Sequence, residues 1–307
     1  MNSQDIKNAI SGVLVVDKPV GMTSHDVVQA IRNGTGLRRA GHTGTLDPRA
    51  SGVLVILVGP AVRLSEYVSA SDKRYQAIIR LGSTTDTFDA DGRFTRNDVP
   101  VNVTEAEFEA VLKTFIGEIE QTPPPYSAVK VQGRKAYEMA RQGEEVDLAP
   151  RKIQVHHLEV LEWAPPEVVV DVHCSSGTYV RSLANDLGEK LGTGAYLVGL
   201  RRTKSGRFSL RDATPLRKLQ EAFHAGNWYQ YLIPAAEALA DWPAIELGPD
   251  EVEEVRHGHR VKADPEAKPG MVRGVSTQGE LVALMDLATG EDGSPEWQPK
   301  KVFFTSE

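Results

Sequence analysis

The chain has 307 residues, 40% of them hydrophobic, enough to bury a core in one large domain or two, so disorder is not the default. Its single cysteine, Cys174, excludes an internal disulfide framework and a cysteine-based metal site, and reads as a small buried hydrophobe in a reducing compartment. The net charge of −7 would argue against a nucleic-acid partner if it were evenly spread, but residues 237–296 hold 5 Lys/Arg against 14 Asp/Glu while residues 1–236 hold 28 against 27.

At the N-terminus the apolar run GVLVV is shorter than the roughly 7–15 residues of a signal-peptide core. The longest apolar stretch, 53–62, contains Gly59 and Pro60 and falls short of the roughly 20 residues of a membrane span. Both point to a soluble, cytoplasmic protein. GVLVV (12–16) reads as a buried strand, and DKPVGMTS as a loop whose Ser24 caps a helix running to Asn33. In AGHTGTLDPRASGVL (40–54), Gly41, Gly44 and Pro48 restrict the backbone, and the run VLVILVG anchors the turn to the core. Asp47 is then a carboxylate held at a rigid rim among small neighbours. It can be a nucleophile toward a sugar or an electrophilic ring carbon, or a general base. The plainer reading is a turn aspartate bonding its own backbone.

SDKRYQAIIRL (71–81) opens a strand with Lys73, Arg74 and Tyr75. Tyr75 is either core or a stacking platform for a base beside two phosphate-binding cations. TFDADG (87–92) grazes a calcium-loop pattern without its ligand set. TEAEFEAVLKTFIG (104–117) is the clearest helix, with a Thr104–Glu107 capping box, a stripe of Phe108, Val111, Leu112, Phe115 and Ile116, and Gly117 as its stop. Further strands are predicted over 126–132, 153–163 and 168–174. Residues 123–153 read as an excursion with a charged helix inside, either a mobile flap or a long connection. His156-His157 and His257-Gly-His259 lack other ligands at metal spacing and are expected to be exposed or structural.

SSGTYVRSLANDLGEKLG (175–192) fits a helix with Val180, Leu183, Ala184, Leu187 and Leu191 facing inward. Arg181 stands in its first turn, where a cation opposes the helix dipole, so its stem packs on the core or its head pairs with a carboxylate. The densest basic run, Leu200 to Lys218, is a phosphate footprint or a solvated surface. A boundary near 240–250 precedes a short helix and several short strands, a small β-rich module over 250–307. The uneven alternation of strands and helices indicates an α+β fold with a mixed, largely antiparallel sheet flanked by helices.

Six blocks stand in order: DKPVGMTS, HTGTLDPRASGVL, SDKRYQAIIRLG, TDTFDADG, GTYVRSLANDLG and GLRRTKSGRF. From about residue 11 to 218 this set resembles the bacterial tRNA pseudouridine synthase B family, and the C-terminal module resembles that family's PUA-like domain. The resemblance implies a catalytic domain over 1–240 with the pseudouridine synthase fold, an RNA-clamping insertion at 123–153, and a PUA-like domain over 250–307. It implies isomerisation of uridine 55 in the tRNA T-loop to pseudouridine after base flipping. No cofactor, metal, membrane or obligatory protein partner is implied, and a monomer is the default.

By the same resemblance Asp47 falls on the catalytic aspartate, and Arg181 on the arginine paired with it. Tyr75 falls on the tyrosine that stacks on the target base and is the proposed base for C5 deprotonation. His42 falls on the histidine that helps reshape the T-loop, and Tyr179 and Leu200 on contacts to the flipped nucleotide. Lys18 and Pro19 match a motif that supports the active-site loop. Lys73, Arg74, Lys130, Arg134, Lys135, Arg202 and Lys204 are expected at phosphates. Whether Asp47 adds to the uracil ring, attacks C1′ or removes the C2′ proton stays open. The alternative from another class is a tRNA-binding folding helper without turnover, against which the intact Asp47, Tyr75 and Arg181 argue. A carboxylate-based glycosidase would want a second carboxylate, with Asp86 or Asp89 as candidates by composition.

Overall fold

The computed structural model describes residues 10–97, 99–127, 129–131, 133–144 and 146–303. In chain order the principal elements begin with β1 (Gly12–Lys18), α1 (Ser24–Thr35), β2 (Ala40–His42), β3 (Ala50–Val58), β4 (Lys73–Leu81), α2 (Glu105–Lys113) and β5 (Gly117–Gln121). They continue with β6 (Arg151–Ala164), β7 (Glu167–Cys174), α3 (Val180–Lys190), β8 (Ala195–Ser205), α4 (Leu216–Ala225), β9 (Ala244–Leu247) and α5 (Pro249–Arg256). Four strands close the chain: β10 (Val261–Lys262), β11 (Met271–Ser276), β12 (Leu281–Thr289) and β13 (Pro295–Val302). Two compact units emerge, one of Met1–Asp47, Leu54–Ser69 and Arg207–Glu307, the other of Pro48–Val53 and Ala70–Gly206.

In the Pro48–Val53/Ala70–Gly206 unit the strands run in the order β3, β8, β4, β7, β6, β5. β8 lies parallel to Ala50–Gly52 of β3, and every other pairing in this series is antiparallel. The expected mixed, largely antiparallel sheet is therefore present. Its inner strand β4 alternates, with Lys73, Tyr75, Ala77, Ile79 and Leu81 buried and Arg74 and Gln76 exposed, the period of two that a pleat imposes. Helix α3 buries Val180, Leu183, Ala184 and Leu187 and packs on β8.

Helix α2 begins on the expected Thr104–Glu107 capping box and buries Phe108 and Leu112. It stops at Lys113, short of the expected Gly117. The Thr114 hydroxyl donates back to Val111 O, and Gly117, at a φ of 115°, turns the chain into β5. Ile116 is left exposed instead of completing the stripe. The strand expected over 126–132 also differs. Lys130–Val131 pairs with Arg134–Lys135 in a two-rung hairpin, because prolines 123–125 supply no backbone donors and Gly133, at positive φ, turns the chain back. A short helix, Ala136–Arg141, follows.

In the other unit β1 lies between Thr214–Pro215 and β3, with β2 on the far side of β3. Residues 12–16 of β1 are fully enclosed, which explains an apolar run without alternation. The C-terminal part forms a second sheet ordered β9, β11, β12, β13, β10. Its core joins Val255 of α5 to Val272, Val282, Met285 and Trp297. The Arg273 guanidinium donates to the carbonyls of Ala236, Ala240 and Trp242, binding this sheet to the segment that precedes it.

Gly52 shows why ASGVL needs its glycine. Its φ is 99°, and a Cβ there would lie 2.2 Å from the carbonyl oxygen of Arg202 on β8. Gly52→Ala is expected to lower stability by about 2 kcal/mol or more, read as an earlier thermal or urea midpoint. An unchanged midpoint would mean that β3 and β8 do not approach this closely.

Candidate active site

The Asp47 turn is built from behind. The Lys18 ammonium, fully buried, donates to the carbonyls of Pro19 at 2.9 Å and Met22 at 2.6 Å. These bonds fold DKPVGM into a closed loop that delivers Thr23 and Ser24. Thr23, not the expected Ser24, is the N-cap of α1: its hydroxyl accepts from Asp26 N–H, and the Asp26 carboxylate accepts from Thr23 N–H. The helix then runs past Asn33 to Thr35 and ends on Gly36 in the left-handed region.

Released from capping, Ser24 does something else. Only 2% exposed, its hydroxyl accepts from Leu46 N–H at 2.8 Å and donates to Leu46 O at 3.0 Å. Both backbone groups of the residue before Asp47 are thus satisfied by one side chain. Thr43 N–H donates to Val55 O at 3.1 Å and anchors the other end of the turn. Asp47, half-buried between β2 and β3, stands on a backbone held at both sides. His42 is also half-buried, at the end of β2 opposite Ile56. Holding the backbone on both sides restricts where the Asp47 side chain can start from.

In the other unit, the pleat of β4 separates residues that adjoin in sequence. Tyr75 is buried, in register with Val172 of β7 and Arg202 of β8. Lys73 shares its face and is 6% exposed, with its ammonium donating to Ser71 O. Burial, reinforced by the nearby Arg202 charge, pulls the Lys73 pKa down from 10.5 to about 8. Arg74 points the opposite way, and its Nε lies 2.9 Å from both oxygens of Asp171. Arg202, expected at a phosphate, is 2% exposed with Nε donating to Val53 O at 2.7 Å. Lys73 and Arg202 therefore belong to the interior in this conformation, and Arg74 and Lys204 are the exposed cations. Leu200 is half-buried, in register with Ala50 and Ala77. Arg134 is exposed and pairs with Glu144; the side chains of Lys130 and Lys135 lie outside the described residues.

Arg181 is buried in the first turn of α3, where the helix dipole disfavours a cation. Its Nη1 meets the Asp89 carboxylate at 3.0 Å, with 9% and 15% of the two side chains exposed, and its Nη2 donates to Tyr126 O at 3.2 Å. Asp89 is itself oriented by the Thr87 hydroxyl at 2.6 Å and Asp91 N–H at 3.0 Å. Phe88 beside it has a φ of 62°, a conformation that costs a bulky residue about 1–2 kcal/mol. The following loop is stitched to β8 by Ala90 N–H on Leu197 O and Leu197 N–H on Phe88 O. Tyr179 is the N-cap of α3; Gln121 brackets its backbone N–H and C=O at 2.8 and 3.0 Å, and the Arg151 guanidinium lies 4.7 Å from its ring centre.

Ser24 as a clamp, the pairing of Asp89 with Arg181, Gln121 and Arg151 escape sequence reasoning. Each is a common polar residue whose partner lies far along the chain. The one available signal was Asp89 in TFDADG, where acidic residues crowd a glycine turn. Cys174 is buried as expected, which pushes its thiol up to about 11.

Three family descriptions match the chain. TruB family pseudouridylate synthase (N terminal domain) matches residues 32–180, tRNA pseudouridylate synthase B C-terminal domain 181–240, and tRNA Pseudouridine synthase II, C terminal, 242–304. The tRNA pseudouridine synthase B of Thiobacillus denitrificans is 44% identical over 287 residues, covering 93% of this chain and 95% of the relative. That of Thermobifida fusca is 42% identical over 301 residues, covering 95% and 98%. Among solved structures, a Cbf5-Nop10-Gar1 complex matches with a TM-score of 0.75 at 28% identity, over 99% of this chain and 88% of that chain. An H/ACA RNP bound to a substrate RNA containing 2′-deoxyuridine matches with a TM-score of 0.73 at 26% identity, over 99% and 88%.

Ser24→Ala strands the buried Leu46 N–H and C=O and is expected to cost about 2 kcal/mol, measurable as a loss of unfolding free energy in urea. Lys73 gives a pH signature. Its folded pKa lies below its unfolded one, so the burial penalty is fully present below pH 8 and is relieved as pH rises toward 10.5. The stability of the wild type relative to Lys73→Met should therefore rise between pH 7 and pH 10, as followed by chemical denaturation; a flat difference would place the ammonium in solvent.

Proposed function

The chain belongs to the TruB family of pseudouridylate synthases, and from that membership we propose that it isomerises uridine 55 in the T-loop of tRNA to pseudouridine. The reaction is an internal rearrangement. The N1–C1′ glycosidic bond breaks, the uracil turns, and a C5–C1′ bond forms; C5 loses a proton and N1 gains one. No atom enters or leaves overall, so the protein has to supply positioning, charge and one proton acceptor.

The target base is inaccessible while stacked, and flipping it out costs a few kcal/mol. We assign the roles that the sequence resemblance implies. His42 and the Tyr75 ring offset the cost of flipping through stacking, and Tyr179 and Leu200 contact the extruded nucleotide. Asp47 is the carboxylate on which cleavage depends, whether it adds to the uracil ring, attacks C1′ or removes the C2′ proton. All three routes need an ionised group in a fixed direction. Arg181 contributes permanent positive charge in the active site, and Tyr75 takes the C5 proton. The exposed cations Arg74 and Lys204 hold backbone phosphates, and the 123–153 excursion closes on the T-arm.

The observation that carries this reading is the Ser24 clamp on Leu46, which satisfies both backbone groups of the residue before Asp47. No described helix is long and apolar enough to cross a membrane. We place the enzyme in the cytoplasm as a stand-alone monomer with tRNA as its partner.

The test is base-specific mapping of pseudouridine in an unmodified T-arm stem-loop, with wild type and Asp47→Asn side by side. Wild type should convert the T-loop uridine, and Asp47→Asn should slow conversion on the order of 10³-fold or more while still binding the stem-loop. Tight binding without conversion by wild type would support the folding-helper reading. Equal conversion by both proteins would return Asp47 to a structural turn.

A further inference from the structure

Three side chains that the proposed chemistry does not use converge at one end of the β4–β7–β6 group. Asp72 immediately precedes β4, His173 lies near the end of β7, and His156 lies on β6. Their ligand atoms all fall within 4.8 Å of one another. Asp72 Oδ2 is 3.1 Å from His156 Nε2 and 3.9 Å from His173 Nε2, and the two imidazole centres are 4.8 Å apart.

The backbone explains why two histidines on neighbouring strands meet. β6 and β7 pair Val155 with Cys174 and His157 with His173, and the register shifts between them at His156. An extra residue in one strand breaks the strict alternation and re-aims its side chain, here toward His173. Asp72 is tied from the other side, where its carbonyl accepts from Gly206 N–H at 2.9 Å. Three segments distant in sequence thus each hold one donor in place.

The donor set is chemically specific. Around a four-coordinate Zn²⁺, with bonds of about 2.0–2.2 Å, ligand atoms stand roughly 3.3–3.5 Å apart. The two distances to Asp72 straddle that spacing, and small side-chain rotations would equalise them. Two imidazoles with one carboxylate suit a borderline-soft ion, whereas Mg²⁺ and Ca²⁺ prefer all-oxygen shells. Of the neighbouring cations Arg74 and Lys204, Arg74 has Asp171 on its guanidinium, which limits its repulsion of an incoming ion. The three side chains remain 34–48% exposed, so an ion can enter from solvent.

We propose that Asp72, His156 and His173 form a binding site for a divalent transition cation of the Zn²⁺ class, with a fourth position open to water. The ion would cross-link the start of β4, the strand that carries Tyr75, to β6 and β7. It is a structural clamp and takes no part in the isomerisation.

The test uses the tag-free full-length protein, stripped with a chelator and titrated with ZnCl₂ by calorimetry. Beside it stand the His156→Ala/His173→Ala double variant, Asp72→Asn, and His257→Ala/His259→Ala as a control for the other histidine pair. Wild type and the control should bind one Zn²⁺ saturably. Asp72→Asn and the double variant should bind about tenfold more weakly or not at all. Zn²⁺ should raise the thermal midpoint of wild type and leave that of the double variant unmoved, and Co²⁺ should give a tetrahedral visible spectrum with wild type only. The ligands are surface groups, and circular dichroism checks that each variant is folded. Absence of saturable binding by wild type, binding unchanged in a folded double variant, or binding lost in the His257/His259 control would each overturn the site.

Discussion

One hydroxyl holds the backbone of the Asp47 turn. Ser24 Oγ accepts from Leu46 N–H and donates to Leu46 O, so one side chain satisfies both backbone groups of a buried residue. An apolar side chain there would leave two orphaned polar groups, each expensive to bury. The clamp depends in turn on where Ser24 stands. That is decided by the Lys18 ammonium gathering the Pro19 and Met22 carbonyls and by Thr23 taking over the helix cap. A buried cation, a capping threonine and a bridging serine therefore act in series to hold the backbone that bears Asp47.

The second unit is organised around cations that are kept from water. Lys73 and Arg202 are interior, and Arg181 is nearly so. Each has nearby oxygen partners: Ser71 O, Val53 O, and the Asp89 carboxylate with Tyr126 O. Burying so much positive charge is unfavourable, and the low Lys73 pKa is its direct expression. The strained Phe88 is another local cost, and it lies beside Asp89, a carboxylate paired with Arg181. The β4–β8 pair thus sorts its cations by depth. Lys73 and Arg202 are enclosed, while Arg74, held by Asp171, and Lys204 stay exposed.

The sheet also creates chemistry by irregularity. The register shift at His156 brings two imidazoles together, and the one between Arg202 and Lys204 on β8 accompanies the close approach that demands Gly52. A regular ladder would have sent these side chains to fixed alternate faces. Each irregularity turns a residue whose local sequence looks ordinary into one with a specific neighbour.

Much was legible in the chain before folding. Local patterns announced the Thr104 capping box, the apolar face of α3, the enclosed β1 and the rigid Asp47 turn, because each depends on residues within a turn or two of one another. The ordered blocks also announced the family. What the sequence could not determine were properties set by distant partners: that Ser24 clamps Leu46, that Asp89 meets Arg181, that Arg202 is enclosed against Val53, and that Asp72, His156 and His173 share a corner. Burial and pairing are fixed by which segments pack together, and a hydroxyl or a guanidinium carries no local mark of the partner that will satisfy it.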